Sequence, residues 1–406
     1  MPASTTKSRP AVTAVTLGIF SIVTTEILPI GLLTPIGSDF HISPGTAGLT
    51  MTIPGILAAI AAPAVTVATG RLDRRGMLCA LMLLLALADF LAAAAPSYPV
   101  MMASRVLVGF VIGAFWSIGA GLAARLVRPE SVGRATAVIF SAVPLGSVLG
   151  VPAGTFLGNL AGWRTAFVVM GVFTVGVFAA LLAFLPPLPA LHVTRLTVLR
   201  QMVHTTGTRI GLALTFLIVL AHFAAYTYVT PFLARVTDAS PAFITTLLLV
   251  YGIAGVAGNF VAGTMADVRT TVVAAASMLA AATMLLPVLG RSDFGAITLL
   301  IVWGLAYGAV PVCCQTWFVK SAPHAPEAAS VLFTSSFQAT LSLGALAGGL
   351  LVDATSTSTV MVLGGVSAAL AVLVVVSTGR GSASTRRPDR HCAPPAAPDP
   401  PDLRAR

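Results

Sequence analysis

Charge is scarce in this chain. Asp, Glu, Lys and Arg make up 9% of its 406 residues, against about 25% in a soluble domain. A chain so poor in charge cannot cover a globular surface with polar groups, which excludes the soluble enzyme classes. Lysine is nearly missing, with Lys7 and Lys320 the only two. Cysteine is sparse and lacks metal spacing, and Cys313 and Cys314, adjacent in an apolar run, read as small core residues. No HExxH, no GxSxG and no phosphate-binding loop occurs, and no carboxylates are paired at i, i+3 within an apolar run. The common hydrolase chemistries and ATP-driven transport therefore have no footing, and neither a cofactor nor a metal is implied.

Apolar residues are what the chain has. They make up 57% of it, with a mean hydropathy of +0.95. A membrane-spanning helix needs about 20 apolar residues, so twelve spans would use most of them. The runs are long and do not alternate, which excludes a β-barrel. Runs between charged or turn-rich breaks predict helices at 11–36, 45–69, 77–95, 100–124, 135–158 and 165–187, then at 210–233, 242–265, 271–289, 295–319, 328–352 and 358–377. The first run is too long for a signal-peptide core and reads as a retained helix. The predicted organisation is a short N-terminal segment (1–10), a six-helix half (11–187), a central loop (188–209), a second six-helix half (210–377) and a proline-rich, disordered tail (378–406).

A net charge of +10 could signal nucleic acid, but the basic residues fall in short loops beside apolar runs. With the N-terminus inside, 19 basic residues fall on the cytoplasmic side and 3 outside, which predicts two cytoplasmic termini and no nucleic-acid partner.

The halves share landmarks at one offset. Asp73 and Asp267, Gly150 and Gly344, and Gly154 and Gly348 are each 194 residues apart. Both aspartates follow the second helix of their half, and both glycine pairs lie on the fifth. The expected fold is all-α: twelve transmembrane helices in two parallel six-helix pseudo-repeats, with the site between them at mid-membrane.

Ionisable groups inside a span cost about 2.5–3.5 kcal/mol and need a reason. Glu26 lies in TTEILPIGLL, followed by Pro29, which can bend the helix. It reads as a proton carrier, or else as a structural hydrogen-bonding acid. Asp89 and Arg105 face each other across the tight turn of the third and fourth helices and are expected to form a buried ion pair, either fixed or part of a gate. Polar and aromatic residues recur at helical spacing: Phe115 and Trp116; His222 and Tyr226; Asn259; Trp303, Tyr307 and Gln315; and Gln338. Any one of them could be interhelical packing. As a set they predict a central cavity that stacks a planar ligand and binds its edges. Gly109 with Gly113, and Gly146 with Gly150 and Gly154, form small-residue faces suited to close helix approach.

The loop TGRLDRRG (69–76), carrying Asp73, Arg74 and Arg75, resembles the signature loop of the major facilitator superfamily, although Thr69 stands where the signature has glycine. GTMAD (263–267) keeps that spacing with Gly263 and Asp267. Arg105, Gly109 and Gly113 resemble the fourth-helix motif linked there to proton transfer. Gly146, Gly150, Pro152 and Gly154 resemble the fifth-helix antiporter motif, with Val151 splitting its Gly-Pro. The chain is identified on these residues as a member of that superfamily, in its twelve-span drug:proton antiporter family. TTEILPIGLLTPI (24–36), GAFWSIGAGLAARLVRPE (113–130), GWRTAF (162–167) and IVWGLAYGAVPV (301–312) are similar to its purine-ribonucleoside efflux branch. The resemblance implies a proton-coupled exporter of the bacterial plasma membrane, with a small molecule, protons and the lipid bilayer as partners, acting as a monomer. Glu26 is then the coupling acid, with Asp89 a second titrating site or a partner of Arg105, and the cargo is a purine nucleoside or related compound. An antibiotic exporter, an uptake permease, a membrane-embedded enzyme and a passive channel remain as alternatives.

Overall fold

The computed structural model describes residues 5–68, 72–119, 122–189, 201–265, 267–322 and 326–384. The expected tail from 385 on, segment 190–200 of the central loop and the start of the signature loop (69–71) lie outside the described residues. The first half contains α1 (Thr5–Phe40), α2 (Pro44–Ala68), α3 (Arg74–Ala93), α4 (Tyr98–Gly119), the short α5 (Leu122–Leu126), α6 (Val132–Ala161) and α7 (Trp163–Phe184). The second contains α8 (Thr206–Tyr226), the short α9 (Val229–Arg235), α10 (Pro241–Thr264), α11 (Val268–Leu289), α12 (Asp293–Ser321), α13 (Pro326–Ala354) and α14 (Thr357–Ser384). Twelve of these are long and apolar enough to cross a membrane, so the chain is a multi-pass membrane protein.

Side-chain caps set several helix starts. Asp73 accepts from the Arg75 amide, and Asp267 from those of Arg269 and Thr270. Hydrogen bonds from Thr270 and Arg269 hold the Asp267 carboxyl below the usual carboxylate range. Ser240 and Ser292 cap α10 and α12. Gly162, at φ 84°, makes the tight link between α6 and α7.

Three expectations are corrected. Helix α1 begins at Thr5, inside the presumed N-terminal segment, and α14 runs to Ser384, past the presumed start of the tail at 378. The seventh span, expected to be continuous over 210–233, breaks at Thr227–Tyr228. Pro231 explains the break. It has no N–H to give the carbonyl of Thr227, and its ring would collide with that carbonyl in a continuous helix.

The two halves pack by one scheme. In the first, α1 lies on α6, α2 on α4, and α3 on α7; in the second, α8 lies on α13, α10 on α12, and α11 on α14. Between halves, α2 meets α13 and α6 meets α10, contacts that a twofold axis exchanges. The matched glycines follow suit. A Cβ on Gly150 or Gly154 would meet α1 at Thr24, Ile27 and Leu28, and one on Gly344 or Gly348 would meet α8 at Leu220 and Ala224. Gly109 and Gly113 lie against α2. Their counterparts, which the sequence reading passed over, are Gly304 and Gly308, lying against Tyr251, Ala254 and Gly255 of α10.

Such contacts leave no room for a side chain. A Cβ on Gly308 would fall on the Gly255 carbonyl, whereas one on Gly76 meets nothing within 4 Å. Gly308→Val is expected to destabilise the fold by about 1–3 kcal/mol, the usual cost of overpacking, and Gly76→Ala to change it little. Thermal unfolding of the detergent-purified variants measures both.

Candidate functional site: a cavity between the halves

A cavity of about 470 Å³ lies between the two halves. From the first half, α1 contributes Val23, Glu26 and Ile27, α4 contributes Trp116, and α6 contributes Ser141 and Ser147. From the second come Phe223 on α8, Asn259 on α10, Tyr307 and Gln315 on α12, and Phe333, Phe337 and Gln338 on α13. Most of this wall is apolar, and among the described residues Glu26 is its one carboxylate.

The cavity is shut toward the turn at 41–43. There Asp353 accepts hydrogen bonds from Ser43 Oγ (2.5 Å) and the Gly45 amide (2.9 Å), joining α13 to the start of α2. The break in the seventh span places Tyr228 against Gly48 and Gly349, with its hydroxyl donating to the Ala345 carbonyl at 2.8 Å. Two residues on, Thr230 donates to the Ile30 carbonyl of α1 at 2.9 Å. Asn159 of α6 reaches the Pro241 carbonyl at the start of α10. In the other direction the wall continues to Ser141, Gln315 and Val331, toward the ends of α6, α12 and α13 that adjoin 127–131 and 323–325.

Glu26 is 6% exposed and Gln338 is 5% exposed. Gln338 faces the Glu26 carboxyl within reach of a hydrogen bond. Among the described residues, three buried polar atoms here have no partner: Glu26 Oε1, Gln338 Oε1 and the Tyr307 hydroxyl. Unsatisfied polar atoms are rare in protein interiors, and those that line a cavity are placed to bind its contents.

His222, Tyr226 and Trp303, expected in the cavity, stand behind its wall. Trp303 donates its indole N–H to His222 Nδ1 at 3.0 Å, so the imidazole proton resides on Nε2. The His222 ring stacks on Tyr307 with centroids 3.3 Å apart, and Tyr226 stacks on His222 and on Tyr251. The i, i+4 spacing of His222 with Tyr226 and of Trp303 with Tyr307 builds this stack, and of the four only Tyr307 reaches the cavity. Phe115 packs edge-on against Trp116 and is buried.

The expected Asp89–Arg105 ion pair is also corrected. Both side chains are fully buried, yet they do not meet directly, because Thr25 of α1 stands between them. Its hydroxyl donates to Asp89 Oδ2, and its carbonyl accepts from Arg105 Nη1, both at 3.2 Å. Arg105 also donates to Ser104 Oγ and lies over the Phe167 ring. Asp89 Oδ1 and Arg105 Nη2 are left without a protein partner. This group adjoins the cavity through α1, whose next residue is Glu26.

The loop residues hold helix ends together. Asp73 also accepts from the Leu188 amide, the Arg74 amide donates to the Leu188 carbonyl, and Arg75 donates to the Leu182 carbonyl at the end of α7. Arg269 makes the matching bond to Val375 of α14. Gly146, Gly150 and Gly154 lie along α1, Pro152 is buried, and Gly263 has open space around it.

The Major Facilitator Superfamily model matches residues 15–339 and 211–398. The transcription regulatory protein OpdE of Pseudomonas aeruginosa is 32% identical over 382 residues, covering 92% of this chain and 94% of its own. The inner membrane transport protein YdhP of Escherichia coli K12 is 32% identical over 380 residues, covering 92% and 96%. The purine ribonucleoside efflux pump NepI of the same strain is 30% identical over 372 residues, covering 90% and 93%. Among solved structures, a bacterial homologue of the human lysosomal transporter Spinster, inward-facing and occupied, superposes with a TM-score of 0.72 at 15% identity, covering 96% of this chain and all of that one.

Proposed function

This chain belongs to the Major Facilitator Superfamily, and from that premise we propose that it is a proton-coupled exporter whose cargo is a purine nucleoside or a related flat, polar molecule. It works in the bacterial plasma membrane with both termini in the cytoplasm and alternates between inward- and outward-open states. The observation that carries this reading is the placing of Glu26, among the described residues the one carboxylate in the wall of a cavity that both halves build. With the basic loops inside, the cavity is shut on the outer side and faces the cytoplasm, the state in which an exporter loads.

The geometry supports a set of roles on this reading. Tyr307, Phe223, Phe337 and Trp116 give flat apolar faces, and Asn259, Gln315 and Gln338 give amides to read cargo edges. Glu26 takes up a proton from outside after the halves rock, and loses it inside. Each charge returning inward down a 100 mV potential supplies about 2.3 kcal/mol. Asp89 and Arg105 hold α1 in register through Thr25. A relative described as a purine ribonucleoside efflux pump supports the cargo class and the direction. The preponderance of aromatic and aliphatic wall favours, as second reading, an exporter of amphipathic antibiotics.

The test is transport into inverted membrane vesicles of labelled purine nucleosides and antibiotics under an imposed pH gradient. Accumulation that collapses with an uncoupler is the expected result. Accumulation indifferent to the uncoupler would remove proton coupling, and inward transport by intact cells would reverse the direction.

A further inference from the structure

We propose that Glu26 and Gln338 form one reading head, selective for cargo that presents two adjacent N–H donors along a flat edge, and that the proton rewrites its pattern. This rests on the cavity being the cargo site. The two side chains come from opposite halves, on α1 and α13, and face each other in the cavity wall. An ionised carboxylate only accepts hydrogen bonds, so toward it the Gln338 amide must turn its NH2 group. That leaves Glu26 Oε1 and Gln338 Oε1, two of the three wall atoms found without partners, as neighbouring acceptors. Buried acceptors left bare are costly, so cargo that supplies two donors is favoured over cargo that supplies one.

Protonation changes the chemistry of the edge. A neutral Glu26 donates its O–H to Gln338 Oε1, and the amide then presents N–H to the cavity. The head becomes acceptor beside donor. A two-donor edge that fitted the ionised head now meets a donor, and its cargo is released. The edge that matches the ionised head is that of a 2-amino-6-oxopurine, with a ring N–H beside an exocyclic NH2. A 6-aminopurine offers a ring acceptor beside its amine and fits the protonated head instead.

The surroundings leave this switch to Glu26. On α12, Tyr307 faces it, with Cys314 near the phenol and His222 stacked behind. On the other flank of α1, Asp89 and Arg105 bond to Thr25. Among the described residues, no other carboxylate and no basic side chain lines the cavity. Tyr307, pinned by His222, supplies the plane on which the heterocycle lies.

The experiment is equilibrium binding of guanosine, 1-methylguanosine and adenosine to the purified full chain in detergent at alkaline and acidic pH. At alkaline pH guanosine is expected to bind at least ~10-fold tighter than the other two, within the range a well-made bidentate contact gives. That advantage should shrink at acidic pH and vanish in Gln338→Leu. The comparison of the three ligands needs no variant, so a misfolded mutant cannot obscure it. Equal binding of all three, still weakened by Phe337→Ala, would overturn the reading head and leave the nucleoside cavity standing. No binding of any nucleoside by monodisperse protein would overturn both.

Discussion

Glu26→Gln is expected to end concentrative export while leaving the protein folded. The substitution is close to isosteric, and the amide can still bond Gln338, so the close approach of α1 to Gly150 and Gly154 is undisturbed. What it removes is, among the described residues, the only carboxylate in the cavity wall, and with it the group proposed to bind a proton in one state and surrender it in the other. A carrier that cannot exchange a proton can still equilibrate cargo down its gradient but cannot accumulate it. In proteoliposomes with an internal pH dye, cargo-dependent proton movement should fall to the background of empty vesicles, with downhill exchange retained for a 6-aminopurine nucleoside, which fits an acceptor beside a donor. Wild-type proton movement in the variant would take Glu26 out of the coupling and direct attention to Asp89.

The second large effect is expected at the pair of charges bridged by Thr25, and it should be asymmetric. Removing one member of a buried charge pair typically costs about 3–5 kcal/mol, because the other is left uncompensated. The survivors differ. In Arg105→Gln, Asp89 can neutralise itself by taking up a proton. In Asp89→Asn, Arg105 cannot shed its charge, and it sits fully buried above Phe167. Asp89→Asn should therefore be the more damaging single change, and the double variant should recover part of the loss. A double-mutant cycle on thermal unfolding measures this. Additive losses with no recovery would mean that the two charges do not compensate one another.

Much of the architecture was legible because a bilayer sets a length scale. Spans longer than about 20 apolar residues, broken by arginine-bearing loops, gave the helix count, and the offset of 194 gave the repeat that the helix packing displays. Within those spans the sequence loses resolution, because nearly every position is apolar and periodicity no longer marks a face. Trp303 and Tyr307 look equivalent as an aromatic i, i+4 pair, yet only Tyr307 reaches the cavity. Equal depth in neighbouring helices brought Asp89 and Arg105 together in expectation, but depth says nothing about rotation, and Thr25 fills the space between them. Two signals were present and unread. Pro231, four residues after Thr227, marks the break in the seventh span. Gly304 and Gly308 repeat Gly109 and Gly113 at an offset of 195, one more than the register followed by the other landmarks.

Thr25 and Glu26 are consecutive on α1, and consecutive residues of an α-helix point about 100° apart. One of them grips the third and fourth helices, and its neighbour faces the cavity and the opposite half. The first helix is thereby a camshaft. A roll that turns the acid away from its cavity also drags a hydroxyl and a carbonyl off their charged partners, so the two flanks of the rod keep time with each other.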